Sequence, residues 1–310
     1  MRKLVLVGVC LLLFMGVTAV AQDEPVTMDL DTALSYYQND SFVIEYSDAG
    51  KTQLLGIIDA FKAALGVTED LDETSEDAVV AFDIDISLKD IVNKLSQAYY
   101  TLGNVFVDPS ENEDIYLKGK NWGLKSLRMN PEFAELEKSR FDTAVAAETD
   151  AAALYWTNSN WLRVAQKNPL QAVVAGVTKR TGAIMDRLLD IAPNYLSGGV
   201  YRSYGAYYSG LPSMFGRDLG KALCYLCPVI EEPGYCAECS IAEHVPGTDA
   251  YFENRSFFVE FYLMPKKQWE DAARILQSIL DDPIGEQYPF MNAYSQENVR
   301  ELLAEVQENL

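Results

Sequence analysis

Apolar residues recur every three to four positions along most of the chain. In Thr52 to Leu65 the apolar residues Leu54, Leu55, Ile57, Ile58, Phe61 and Leu65 share one helical face, and Gly66 supplies a stop. Leu88 to Val105 repeats the pattern with Ile91, Val92, Leu95, Ala98, Leu102 and Gly103, and breaks at Asp108-Pro109. Ile115 to Arg128 predicts the next helix, closed by Asn130-Pro131. A short helix is expected over Leu34 to Val43, a loop over the acidic stretch Glu69 to Asp77, and a turn over Pro131 to Leu136. Arg140 to Val164 reads as one long helix and Pro169 to Ile191 as another. Pairs follow at 199–230 and at Asp249 to Leu263 with Lys267 to Leu280, and Glu297 to Val306 reads as the last helix. The period-two alternation of a strand occurs only over Val79 to Ile86. The pattern therefore predicts an all-α chain of about ten to thirteen helices.

One spacing says how these helices pair. Tyr201, Tyr204, Gly205 and Tyr208 fall at steps of three, one and three. A large residue, a second large residue beside glycine, and then an aromatic is how the first helix of a tetratricopeptide-type pair reads, a unit of about 34 residues. The glycine marks a close approach of two helices. Residues 91–131 repeat the arrangement with Gly103 at the approach and a terminal proline. The expected architecture is a set of tetratricopeptide-like hairpins in a solenoid-like array. Such arrays make binding surfaces and seldom carry chemistry.

The first 21 residues differ from the rest. Met1-Arg2-Lys3 precedes an apolar run to Ala21 that ends Ala19-Val20-Ala21, the form of a cleavable secretory signal. The same run, if retained, could anchor the chain to a membrane. Cys10 lies mid-run, which argues against lipidation. Residues 22–310 then read as one all-helical domain, with a cysteine-containing loop at about 224–250. Formal net charge is −21; without Arg2 and Lys3, 46 acidic side chains face 23 basic ones, a net charge of −23. Phosphate backbones are bound by clustered Lys and Arg, so nucleic acid is excluded as an expected partner. An acidic surface keeps an exported protein soluble.

Little in the chain suggests catalysis. There is one histidine, His244, in a loop flanked by Pro and Gly. A Ser-His-Asp arrangement or a two-histidine metal site is therefore not expected. No glycine-rich phosphate loop or dinucleotide fingerprint is present. Asp70, Asp72 and Thr74 resemble the start of a calcium loop, but Ser75 and Ala81 stand where the glycine and the bidentate glutamate belong. The chain is not expected to be an enzyme, nor to carry a cofactor.

Cys224-x2-Cys227 and Cys236-x2-Cys239 admit two readings. An exported chain favours two structural disulfides, and the lesser alternative is a structural zinc on four thiolates. An antiparallel turn would pair Cys227 with Cys236 and Cys224 with Cys239, but spacing does not choose among the three connectivities. The aromatics are a third feature. Tyr155, Trp156 and Trp161 cluster on one helix, where core packing is the ordinary role. Trp156, Asn160 and Arg163 fall at steps of four and three, so that face could also line a groove. Arg202, like Arg180 and Arg217, is an isolated cation that either meets an organic anion or pairs with a neighbouring carboxylate. Tyr155, Trp156, Asn160, Trp161, Arg163 and Arg202 are the candidate ligand-path residues.

Taken in order, Tyr155-Trp156, Trp161, Leu189-Asp190-Ile191-Ala192-Pro193, Ser197-Gly198-Gly199, Tyr204-Gly205, Leu211-Pro212, Gly216 and Ala222 resemble the T component associated with TRAP transporters. Tyr116, Gly119, Trp122, Gly123, Leu124 and Pro131 fit the same pattern, as does Phe258 to Trp269, so the resemblance spans roughly residues 50–285. It implies a periplasmic homotrimer with a central pore that binds the transporter's solute-binding protein and helps pass a small apolar or organic-acid solute. The four-cysteine segment is not part of that pattern. The competing expectation is a periplasmic repeat scaffold that binds other proteins without ligand transfer.

Overall fold

The structure, a computed structural model, describes residues 28–241 and 243–310; the expected signal peptide at 1–21 lies outside the described residues. Sixteen α-helices follow one another among the described residues. The first eight are α1 (Leu30–Ser35), α2 (Asp48–Ala64), α3 (Glu76–Ala81), α4 (Lys89–Thr101), α5 (Glu113–Arg128), α6 (Pro131–Glu137), α7 (Phe141–Ala147) and α8 (Ala151–Lys167). The remainder are α9 (Pro169–Val174), α10 (Val177–Ile191), α11 (Tyr195–Gly210), α12 (Leu219–Leu226), α13 (Pro233–Cys236), α14 (Glu253–Phe258), α15 (Trp269–Asp281) and α16 (Pro289–Gln307). The chain is all-α as the apolar period predicts. The helices outnumber the expected ten to thirteen because long periodic stretches are broken by caps.

The break at 148–150 shows how. Residues 140–164 read as one helix, yet Glu148 Oε1 accepts from the N–H groups of Thr149 and Asp150, and Asp150 Oδ1 accepts from Ala153 N–H. Asp150 is thus an N-cap that starts α8 afresh. Gly176, left-handed at φ 73°, separates α9 from α10 through its backbone conformation instead. The expected turn at 131–136 is instead α6, because the Asn130 side chain caps it and Pro131 occupies its first position. The stretch Val79 to Ile86 is not a strand. Ser75 Oγ accepts from Ala78 N–H and starts α3 there. The helix expected over 34–43 ends at Ser35. A two-stranded hairpin, β1 (Tyr37–Gln38) and β2 (Ser41–Phe42), follows it, turned by Asn39 and Asp40 at positive φ.

The helix pairs expected at 91–131 and 199–230 are present. Along α4 and α5, Ser96 Oγ donates to Gly119 O at 2.8 Å, and a Cβ added at Gly103 would lie 3.0 Å from the Tyr116 ring. Those contacts run in opposite senses along the two helices, so the pair is antiparallel. Along α11 and α12, Tyr204 stacks on Tyr225 at 4.2 Å, and a Cβ at Gly205 would lie 2.6 Å from Leu226 Cγ. The glycine is needed there because Leu226 fills the space a side chain would use. Helix α5 packs between α4 and α8, and its Trp122, Leu124 and Leu127 are buried in the core. From the last turn of α12 onward, Cys224 pairs with Cys239 and Cys227 with Cys236 at Cα–Cα distances of 5.0 and 5.5 Å, one pair nested inside the other.

Two departures from α-geometry meet at one internal space. Leu102–Phe106 continues α4, and Val259–Leu263 continues α14, as π-helical segments. Each segment contributes a polar side chain to the wall of that space, Asn104 and Glu260 respectively. Such segments shift side chains out of the regular register and recur at functional sites.

Candidate functional site

A cavity of about 520 Å³ opens between the two π-helical segments and helices α5, α8 and α16. Its wall includes Arg163 from α8, Asn104, Glu260, Glu253 from α14, Tyr116 from α5 and Tyr294 from α16. Two smaller recesses share residues with it. One is lined by Tyr100, Tyr155, Arg163 and Arg202, the other by Tyr100, Asn104, Tyr155 and Trp156. Glu253 lines all three, Arg163 the cavity and the first recess, and Asn104 the cavity and the second.

Arg163 is the partly buried cation of the cavity; the exposed Lys167 also lines it and donates to Pro109 O. Arg163 Nη2 donates to Asn104 Oδ1 at 2.7 Å and lies 3.5 Å from the Tyr100 hydroxyl; its Nη1 donates to Gln166 Oε1 at 3.3 Å. No carboxylate lies within 4.0 Å of it among the described residues. Glu260 is the opposing carboxylate. Burial holds its pKa above the usual carboxylate value, Arg163 pulls it down, and Glu253 and Glu305 push it up again. Burial likewise raises the pKa values of Tyr116 and Tyr294, so both hydroxyls stay neutral donors at physiological pH.

The six expected ligand-path residues separate into three groups. Arg163 lines the main cavity, and Tyr155 and Trp156 line its recesses. Trp156 Nε1 donates to the Tyr195 hydroxyl at 3.2 Å, and its ring lies 4.9 Å from Tyr155 and 5.5 Å from Tyr100. Burial pushes the Tyr155 hydroxyl up to about 12. Asn160 and Arg202 are used by the fold. Asn160 is fully buried, and its Nδ2 donates to Ser96 O at 3.1 Å and Trp156 O at 2.9 Å, with Gly119 against the amide. Arg202, 2% exposed, donates to Leu196 O, Ser197 O and Asn254 Oδ1, and lies 3.6 Å from Glu253. It therefore reaches a recess wall with its donors already engaged. Trp161 faces elsewhere, edge-on to Phe141 at 6.0 Å with Lys120 and Arg180 each 5.9 Å from its ring. It is two residues from Arg163, and that step turns it to another face of α8.

Spacing alone missed Asn104, Glu260 and Tyr294. A helical wheel drawn at 3.6 residues per turn misplaces the first two, because each sits in a π-helical segment. One signal was available: Glu260 is the lone carboxylate inside the run Phe257 to Leu263. His244 lies outside the cavity, 3.7 Å from Glu231 in the cysteine loop. No helix among the described residues is long and apolar enough to cross a membrane.

Comparison with known proteins adds two findings. The family model of the TRAP transporter T-component matches residues 89–226, from the start of α4 to the end of α12. The match is narrower than the resemblance read from single residues, and it stops between Cys224 and Cys227. An uncharacterized protein of Treponema pallidum (strain Nichols) is 23% identical over 161 residues, 49% of each chain. The chain thus spans about half the length of that relative.

Proposed function

Because residues 89–226 match the TRAP transporter T-component family, we propose that this protein is a periplasmic accessory subunit of a TRAP-type transport system. In this reading it binds the system's solute-binding protein, assembles as a homotrimer, and helps pass a small solute towards the permease. The observation that carries the reading is that the matched segment builds half the cavity: Asn104, Tyr116 and Arg163 all come from it. A scaffold without a ligand has no use for an open space of about 520 Å³ whose wall holds a cation facing no carboxylate partner among the described residues.

A protein partner is supported by apolar exposure on α9 and the turn after α11. Leu170 is 55%, Val174 81% and Met214 80% exposed. Large exposed apolar side chains are the usual material of contact surfaces. The direct test is capture of a TRAP-type solute-binding protein from the same organism. Binding at micromolar concentration, weakened by Val174→Glu, supports the reading. Failure to bind at that concentration ends it.

A further inference from the structure

Of the charged side chains lining the cavity, Arg163 and Glu260 are the two partly buried ones that, among the described residues, are ion-paired neither with each other nor with anything else; Lys167, Glu297 and Glu301 are exposed, and Glu253 faces Arg202. Arg163 donates to amide and hydroxyl oxygens only. Glu260 makes no hydrogen bond or ion pair among the described residues, although Arg163 acts on its charge through space. Both are partly buried, and a partly desolvated charge without a partner is unfavourable. The fold does pair other such groups: Arg202 stands 3.6 Å from Glu253, itself in the cavity wall, and Arg255 2.6 Å from Asp282. The unpaired charges coincide with the open space.

The rest of the wall has its own character. Tyr46, Tyr116 and Tyr294 supply aromatic rings. Asn112 and Ser295 line the same space, and Oδ1 of Asn112 and Oγ of Ser295 are buried without a hydrogen-bond partner. Glu297 and Glu301, both exposed, stand at the mouth.

We propose that this cavity binds a small zwitterion, its carboxylate on Arg163 and Asn104 and its ammonium or quaternary ammonium group between Glu260 and the tyrosine rings. A guanidinium holds a carboxylate through paired N–H donors, and a cation is favoured over tyrosine faces. The competing ligands each leave a charge unanswered. A plain anion would satisfy Arg163 but add negative charge beside Glu253 and Glu260. A plain cation would suit the carboxylates but leave Arg163 without a counter-charge. An apolar solute would bury both charges with no partner. The proposal names the solute class for the transport reading above, and its use in transport rests on that reading; the binding itself does not.

Calorimetric titration of the mature chain at low ionic strength tests it. The probes are glycine betaine and L-leucine, with 4-methylpentanoate as leucine without its ammonium and 3-methylbutylamine as leucine without its carboxylate. At least one zwitterion should bind, and leucine at least tenfold tighter than both of its single-charge analogues if leucine is the one. Arg163→Met should abolish zwitterion binding. Glu260→Gln should weaken it at least tenfold while tightening 4-methylpentanoate. Unfolding midpoints confirm that each variant is folded; if Arg163→Met is not, Arg163→Lys, which keeps the charge and loses the paired donors, should still weaken binding at least tenfold. The proposal is overturned if neither zwitterion binds, if 4-methylpentanoate binds wild-type protein as tightly as leucine, or if binding ignores both substitutions. Capture of the solute-binding protein by folded Arg163→Met separates the two ideas. Retained capture without zwitterion binding assigns Arg163 to the ligand. Zwitterion binding without any capture by wild-type protein sinks the transport reading alone.

Discussion

Gly199 and Tyr155 meet face to backbone: a Cβ added at Gly199 would lie 2.5 Å from Cε2 of Tyr155 and 2.6 Å from its hydroxyl oxygen. The Gly198-Gly199 turn and the Tyr155-Trp156 helix both belong to the resemblance to the T component, and they are two sides of one contact. Gly199→Ala should therefore destabilise the protein by about 1–3 kcal/mol, the range for overpacking. The penalty should shrink when Tyr155 is already alanine. Urea unfolding of both single variants and the double would show a coupling above about 0.5 kcal/mol. Strict additivity would remove the contact from the explanation.

The two arginines near the cavity should behave oppositely. Arg202 holds the carbonyls of Leu196 and Ser197, residues in left-handed conformation at φ 48° and 51°. Arg202→Met leaves those carbonyls and Glu253 without their partner, and should cost about 3–5 kcal/mol. Arg163→Met removes no ion pair and should cost no more than about 1 kcal/mol. Denaturation midpoints of the two variants side by side decide this. A larger loss at Arg163 than at Arg202 would reverse the assignment.

Glu73 makes the stability depend on pH. It is 6% exposed and accepts from Tyr99 Oη at 2.7 Å, Trp122 Nε1 at 2.8 Å and Lys62 Nζ at 2.9 Å. Burial works to raise its pKa, and these donors outweigh burial, so the folded value lies below the ordinary one. A depressed folded pKa means that the stabilisation is complete above the unfolded value of about 4.3. It is lost as pH falls through the lower folded value. Glu73→Gln should cost about 1.5–3 kcal/mol at pH 7, the range for hydrogen bonds to a charged group. The gap between wild type and variant should narrow below about pH 4. A gap that is constant from pH 7 to pH 3 would contradict this.

The cysteine loop has a covalent test. Alkylation without reductant should leave Cys224, Cys227, Cys236 and Cys239 unmodified, and peptide mapping should find the 224–239 and 227–236 pairs. Replacing either pair by serine should cost about 2–4 kcal/mol. Full labelling of all four thiols, or stoichiometric zinc on them, would refute the pairing.

Much of the helical layout was legible because amphipathic periodicity is a local property. Ile91, Val92, Leu95 and Ala98 read as one buried face, and all four are buried. Helix ends were less legible. Asp150 and Ser75 are ordinary N-cap residues, but a periodic apolar pattern continues past each of them, and the cap decides only once its N–H partner is in place. The acidic stretch 69–77 misled in one respect. Most of it is loop, yet its Glu73 is buried as the acceptor for Tyr99 and Trp122, two residues that lie on α4 and α5.

The sequence by itself determined the all-α class and the glycines at Gly103 and Gly205 where helices close on each other, because both depend on residues near one another along the chain. It also carried the resemblance to the T component over roughly residues 50–285, of which the family model matches 89–226. Only the tertiary structure decided which polar residues share a space. Asn104, Arg163, Glu260 and Tyr294 come from four separated segments, and two of them sit in π-helical turns that no regular period places. It also divided the arginines, engaging Arg202 with backbone carbonyls and leaving Arg163 facing an open cavity. Whether a buried charge is paired depends on distances across the core, and those exist only after the helices have packed.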